Sequence, residues 1–360
     1  MTKARGLADL GNVYSDGALS NRNLVINGAM TVAQRGTSTA GITGGNFLTC
    51  DRFYFALSTL GTWTGTQASD GPSGFANSFK LECTAANASP AAGNFAFVSY
   101  SIEGQDLQPL AKGTPGAKSA TLSFWVKSNV LGTYQVTFLD ADNTRNIAGT
   151  YTVDASATWE YKTITIAGDT AGAFDDDVNF SLGIEWWLGS GTTFTSGAVP
   201  TAWETAVSAD RNAGGAVNVA GTIGNTWQIT GVQLEVGDTA TPFEHRGFGQ
   251  ELDLCKRYYE RLTQTTHRSL TNGTYFSGAS PYGVIQYATK RVPPSCSQSN
   301  NNAIIVFSAS ANKTSTNVTF EIIGTNTARV LANTAAVQSG FACWFELNQA
   351  SDFLQLDSEL

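Results

Sequence analysis

From residue 23 onward the chain is written in short alternations of apolar and polar residues, separated by breaks rich in Gly, Ser, Asn and Asp. Runs such as "NSFKLEC", "FAFVSYSIE", "TLSFWVK", "YQVTFLD", "WEYKTITI" and "WQITGVQLEV" carry the period of two that lays one face of a strand on a core. The clearest is "VNFSLGIEWW" at 178–187. Val178, Phe180, Leu182, Ile184 and Trp186 share one face, and Asn179, Ser181, Gly183, Glu185 and Trp187 the other. In "VQLEVGDTATPFEHR", at 232–246, the alternation stops at Gly237-Asp238 and Pro242 stiffens the residues beyond, so this stretch reads as a last strand and its exit. Many short strands with turn signals between them predict an all-β jelly-roll or β-sandwich domain over residues 23–246. Two stretches, 58–76 and 188–225, show no strand pattern and are expected to be long loops, functional or packed at an interface.

A different period opens the next segment. In "QELDLCKRYYERL" at 250–262, Leu252, Cys255, Tyr259 and Leu262 fall on one helical stripe, broadened by Leu254 and Tyr258. The spacing predicts a connecting helix over 247–263, whose stripe must be covered by the first domain, by the C-terminal residues, or by copies of itself. Residues 264–360 return to strands, among them "AIIVFSAS", "NVTFEIIG" and "FACWFELN", where Phe341, Cys343, Phe345 and Leu347 alternate with Ala342, Trp344 and Glu346. About 100 residues of β structure give a core of marginal size, so this smaller C-terminal β-sandwich domain is expected to oligomerise or to contact a receptor. Residues 1–22 have no core-forming period and are expected to be an attachment arm that orders on a partner.

Charge removes several function classes. Net charge is -8 over 360 residues, and the excess is local: residues 1–246 hold 13 Lys/Arg against 21 Asp/Glu, residues 247–360 hold 8 of each. No basic stripe offers clustered cations to phosphates, so no nucleic-acid partner is expected. No apolar run approaches the roughly 20 residues of a membrane span, and "MTKARGLADLGN" lacks the apolar core of a signal peptide, so neither membrane insertion nor export is expected. Cys50, Cys83, Cys255, Cys296 and Cys343 are scattered without a CxxC pair and read as small buried hydrophobes. With only His245 and His267, histidine-based catalysis has little material.

Several stretches taken in order carry a resemblance. "NLVINGAMTVAQRG", the "DRFYF" after it, "WLGSGTTFTSG" with "PTAW", the closing "VQLEVGDTATPFEHR" and "ELDLCKRYYERL" resemble the C-terminal modules of tail fibres and other appendage proteins of tailed bacteriophages. The arm "ARGLADLGN" is similar to theirs, and the resemblance covers nearly the whole chain. It implies a first domain similar to carbohydrate-binding modules and a fibre-ending β domain. It further implies a homotrimer held to other virion proteins through residues 1–22, and a host surface glycan as receptor. The expected function is that of a non-catalytic virion protein: a short tail fibre, or a capsid decoration or fibre without a specific receptor, made in the host cytoplasm. A surface-polysaccharide depolymerase is the enzymatic alternative.

Within that frame Trp187, Trp63 and Trp203 are the candidates for stacking on sugar, because an aromatic ring offers a face to C–H groups and a polar edge beside it. The competing reading makes each a core or loop plug. Trp187 stands out because it lies opposite the apolar face, next to Glu185. Glu185 with Glu204 or Asp210 is the candidate carboxylate pair for glycosidase chemistry, against the plainer reading of spare carboxylates in an acidic protein. Asp140 and Asp142, and Asp175 and Asp177, have oxygen-ligand spacing for calcium or are solvated turns. A structural calcium is what the resemblance implies; no other cofactor is expected.

Overall fold

A computed structural model describes residues 21–215, 217–263, 269–275, 280–308, 312–334 and 342–360. Most of the expected arm lies outside them, as do His267 and Phe341. The chain divides into two compact units, Met1–Glu251 with Leu360, and Leu252–Glu359. Among the described residues both are all-β apart from short helical turns and one α-helix, α1 (Phe248–Lys256).

The first unit contains β1 (Ser38–Phe47), β2 (Phe53–Ala68), β3 (Ser78–Ala85), β4 (Phe95–Glu103), β5 (Ala120–Ser128), β6 (Gly132–Asp140), β7 (Arg145–Val153), β8 (Glu160–Ile166), β9 (Phe180–Ser190), β10 (Glu204–Thr205) and β11 (Thr226–Val236). They form one antiparallel sheet in the order β10-β7-β6-β9-β4-β2-β3-β11-β5-β8, with β1 on β2. The sheet folds on itself at β2. Residues Phe53–Ser58 pair with β4, residues Thr62–Ala68 with β3, and between them Thr59 and Gly61 take positive φ. Gly61 is required there, because a Cβ would lie 2.7 Å from the Ala85 carbonyl oxygen. The 58–76 stretch expected as a loop is therefore mostly strand: its Gly and Thr residues mark the bend that turns one sheet into two layers.

At the far edge β7 approaches β8, with Gly149 so close to Ile164 that a Cβ would meet its Cγ2 at 2.5 Å. Between the layers lies one core that includes Phe53, Trp63, Phe124, Tyr134, Trp186 and Trp227. The entry and exit of this unit are tied together. Leu24 donates its N–H to the Leu234 carbonyl, Val232 to that of Gly28, and Glu244 accepts the N–H groups of Asn21 and Asn23. Arg246 reaches the carbonyls of Val25 and Asn23, and the Asn27 N–H meets Glu251. Two of the stretches that carried the resemblance, "NLVINGAM" and "VQLEVGDTATPFEHR", thus meet as a clasp, which uses their polar residues for backbone hydrogen bonds.

The second unit contains β12 (Tyr259–Thr263), β13 (Ser269–Tyr275), β14 (Pro281–Gln286), β15 (Ser295–Gln298), β16 (Ile304–Ser308), β17 (Asn312–Glu321), β18 (Thr327–Thr334), β19 (Ala342–Leu347) and β20 (Phe353–Asp357). Where a smaller sandwich was expected, β13-β14-β18-β17-β16-β19 close into a barrel, and β12-β20-β15 form a separate sheet. Closure removes strand edges that a small core could not cover otherwise.

The helix is shorter than its sequence period predicts. It ends at Lys256, the Tyr258 carbonyl accepts from Ser358, and Tyr259 and Leu262 stand on β12, paired in register with Asp357 and Leu354. Of the expected helical stripe, a candidate for oligomerisation, only Leu252 and Cys255 are helical, and Cys255 is buried within the single chain. "YYERL" suits either period, and pairing with β20 decides it, because it buries Tyr259 and satisfies a strand's backbone groups.

Candidate functional site

Strand parity places Trp187 as expected, on the face of β9 opposite Trp186, yet it is 0% exposed. The segment after β9 folds back over this face. Phe194 packs 5.3 Å from Trp187, and Phe97 lies 4.5 Å away, giving a small second core with Ala56. Glu185 lies under the same cover. Trp187 Nε1 donates to its Oε2 at 3.2 Å, and Arg211 clamps the carboxylate through Nε and NH2. Burial outweighs the pull of Arg211 and holds the Glu185 carboxyl above its ordinary range. Trp187 as a sugar-stacking face and Glu185 as an accessible carboxylate, both candidates from sequence, are corrected by this flap. Of the two candidate partners for a glycosidase pair, Glu204 is exposed on β10 and Asp210 caps the Ala198 N–H at 2.9 Å.

Trp63 is a core residue, its indole N–H donating to the Leu60 carbonyl at 2.7 Å, and offers no face to a ligand. Trp203 is half-buried, donates to the Ala167 carbonyl at 2.8 Å, and lies over the Lys112 ammonium at 5.2 Å.

That ammonium occupies the place where oxygen ligands converge. Lys112 Nζ donates to Asp140 Oδ2 at 2.6 Å and to the carbonyls of Ala171 and Gly172 at 3.0 and 2.5 Å, with Asp169 Oδ2 at 3.2 Å. Phe174 covers it at 5.0 Å, and the Lys112 side chain is 3% exposed. Arg145 shares Asp169 with it, its Nε donating to the same Oδ2 at 2.7 Å. The four calcium candidates do not come together: Asp142 accepts from the Asp175 N–H, Asp177 from Asn179, and Asp140 serves Lys112 and Asn143. Among the described residues no group of three or more His, Cys, Asp and Glu is placed to hold a metal ion.

An open aromatic surface does exist, on the other layer. On β5, Leu122, Phe124 and Val126 enter the core, which turns Trp125 and Lys127 outward. Tyr161, 45% exposed, is the cross-strand partner of Trp125 on β8, with ring centroids 5.3 Å apart. Gly231, at φ +61°, leaves the room on β11 into which Trp125 and Phe75 lean, and Phe75 continues the aromatic lane to Phe243 and His245 at 5.0 and 5.2 Å. Beside the lane Lys127 pairs with Asp70 and lies 5.3 Å from the Trp159 ring, whose Nε1 donates to Asp70 Oδ1 at 3.3 Å. The Lys127 hydrogen bond holds the Asp70 carboxyl below its ordinary range. Flat aromatic faces flanked by fixed donors and acceptors suit an amphipathic ring with a C–H face and a hydroxyl edge. Sequence reasoning missed this face, although its signal was present: Trp125 in "TLSFWVK" and Tyr161 in "WEYKTITI" stand on the polar parity of their strands, as Trp187 does.

No protein-family model matches the chain, and no curated protein matches it. Matches to solved structures are of low similarity. The enzymatically active domain of tailspike protein 4 of bacteriophage CBA120 aligns at 14% identity and TM-score 0.31, over 60% of this chain and 21% of that one, so the match spans about a fifth of the neighbour's length. The family 11 carbohydrate-binding module of a Clostridium thermocellum cellulase aligns at 8% identity and TM-score 0.29, over 56% of this chain and 99% of its own. A tandem of two such modules of family 22 from Paenibacillus barcinonensis aligns at 9% identity and TM-score 0.28, over 96% and 99%.

Proposed function

We propose that this chain is a glycan-binding, non-catalytic appendage protein of a tailed-phage particle, assembled as a homotrimer and contacting the host surface. The observation that carries the glycan part is the outward Trp125–Tyr161 pair on an open sheet face, fringed by Asp70, Lys127 and Trp159. The phage part is supported by the ordered sequence stretches that resemble appendage proteins. A binding rather than hydrolytic role is supported by Glu185, whose carboxylate is engaged by Arg211 and Trp187 beneath the flap.

Affinity electrophoresis in gels containing host surface polysaccharide tests the reading. Wild-type protein is retarded and leaves the polymer at full length, and Trp125→Ala migrates faster. Shortening of the polymer turns the reading toward a depolymerase. Migration of wild-type protein at the speed of an inert control refutes glycan binding. Light scattering of the full chain gives the mass of three chains; a monomer at micromolar concentration refutes the trimer.

A further inference from the structure

Trp344, on β19 of the barrel, is 42% exposed. It is nonetheless held in place: its ring stacks on Phe307 of β16, 5.3 Å between centroids and 3° between planes, and its Nε1 donates to Glu346 Oε1 at 3.1 Å. Cys343, Phe345 and Val306 point into the barrel core, so the alternate positions point outward. Register then lines up Asn272, Trp344, Phe307 and Asn312 as one row across β13, β19, β16 and β17, with both Asn residues exposed. The adjacent row adds Glu346, Ile305 and Thr314.

An aromatic ring left in solvent and fixed by a stacking partner and a hydrogen bond is already ordered for binding, so a ligand loses little conformational entropy there. The chemistry of the surround selects the occupant. An apolar protein partner needs a large contiguous apolar patch, whereas this one is two rings and Ile305, bordered by Asn272, Asn312, Thr314 and Glu346. A hexopyranose chain fits: one ring sets a C–H face on the indole with hydroxyls toward Asn272, and a neighbouring ring over Phe307 extends toward Asn312. We infer that Trp344 and Phe307 form a saccharide-stacking subsite for neutral hexopyranose chains on the second unit. This rests on the glycan-binding reading of the chain but not on the Trp125 face.

The test uses the full chain in the Trp125→Ala background, with cellotetraose and a β-1,4-galactose tetrasaccharide as probes and the Trp344 indole N–H followed by NMR. At millimolar sugar that signal shifts. Trp344→Ala weakens binding about two- to thirteenfold, the range of one lost stacking contact, while Trp344→Phe keeps most of it and neither variant lowers Tm appreciably. A Trp344 signal unmoved by either sugar overturns the inference, as does unchanged affinity in Trp344→Ala. Sedimentation in which Trp344→Ala reduces the assembled mass assigns the face to a second copy and overturns it too. The two readings fail separately: with Trp344→Ala as background, an added Trp125→Ala that leaves affinity unchanged sinks the first-unit face and leaves the Trp344 response standing.

Discussion

Arg211 crosses the outer face of β9 to hold Glu185, its Nε 3.2 Å from Oε2, while its guanidinium lies 5.3 Å from the Trp187 ring. One side chain from the returning segment thereby closes the surface that strand parity had left open. It neutralises the Glu185 carboxylate and roofs the tryptophan beside it.

The first expected outcome concerns this roof. Trp187→Ala empties a buried site and lowers unfolding free energy by about 3–5 kcal/mol, as truncation of a core aromatic does. Arg211→Ala leaves Glu185 buried without its partner and costs a similar amount. Denaturant midpoints at unchanged m-value check both. A loss under about 1 kcal/mol for Trp187→Ala shows that the flap does not cover the residue in solution.

The second concerns the Lys112 cage. Removing the ammonium with Lys112→Ala leaves Asp140 and Asp169 facing each other without that cation, and stability falls by about 3–5 kcal/mol. Because two carboxylate and two carbonyl oxygens remain, calcium partly restores the Tm of the variant. Neither calcium nor EDTA moves the Tm of the wild-type protein, where Nζ fills the position. A calcium-dependent wild-type Tm contradicts this account.

The third is a pH dependence on the Trp125 face. The Asp70 carboxyl is lowered in the folded state, principally by the hydrogen bond from Lys127, so the unfolded state takes up its proton first as pH falls. The stabilisation is therefore complete above the ordinary aspartate value, near 3.8, and is lost as pH drops through the lower folded value. Asp70→Asn flattens that part of the stability profile and loosens Trp159, read as a change in its fluorescence. An identical acid limb in the variant shows that the pair carries nothing.

The sequence by itself determined the class of fold and the inward face of its strands. A period of two fixes which residues can share a core, and Leu182, Ile184 and Trp186 of β9, or Leu122, Phe124 and Val126 of β5, obey it. It also isolated a helical segment before the last β region, because Leu252 and Cys255 recur at helical spacing. Its outer reach failed at "YYERL", where both periods fit and long-range pairing of β12 with β20 chose the strand.

Only the tertiary structure decided which outward residues meet solvent. Trp187 and Trp125 carry the same local signal, a large aromatic on the polar parity of a strand, and no window of sequence around either distinguishes them. The difference is made by Phe97 and Arg211, distant along the chain, and by the turn that brings Phe194 back over Trp187, while among the described residues no such segment shuts Trp125 and Tyr161 away. Asp140 gives the same lesson for charge. Its partner is Lys112, 28 positions away, and whether a carboxylate awaits a metal or already holds an ammonium depends on what chain topology delivers to its oxygens.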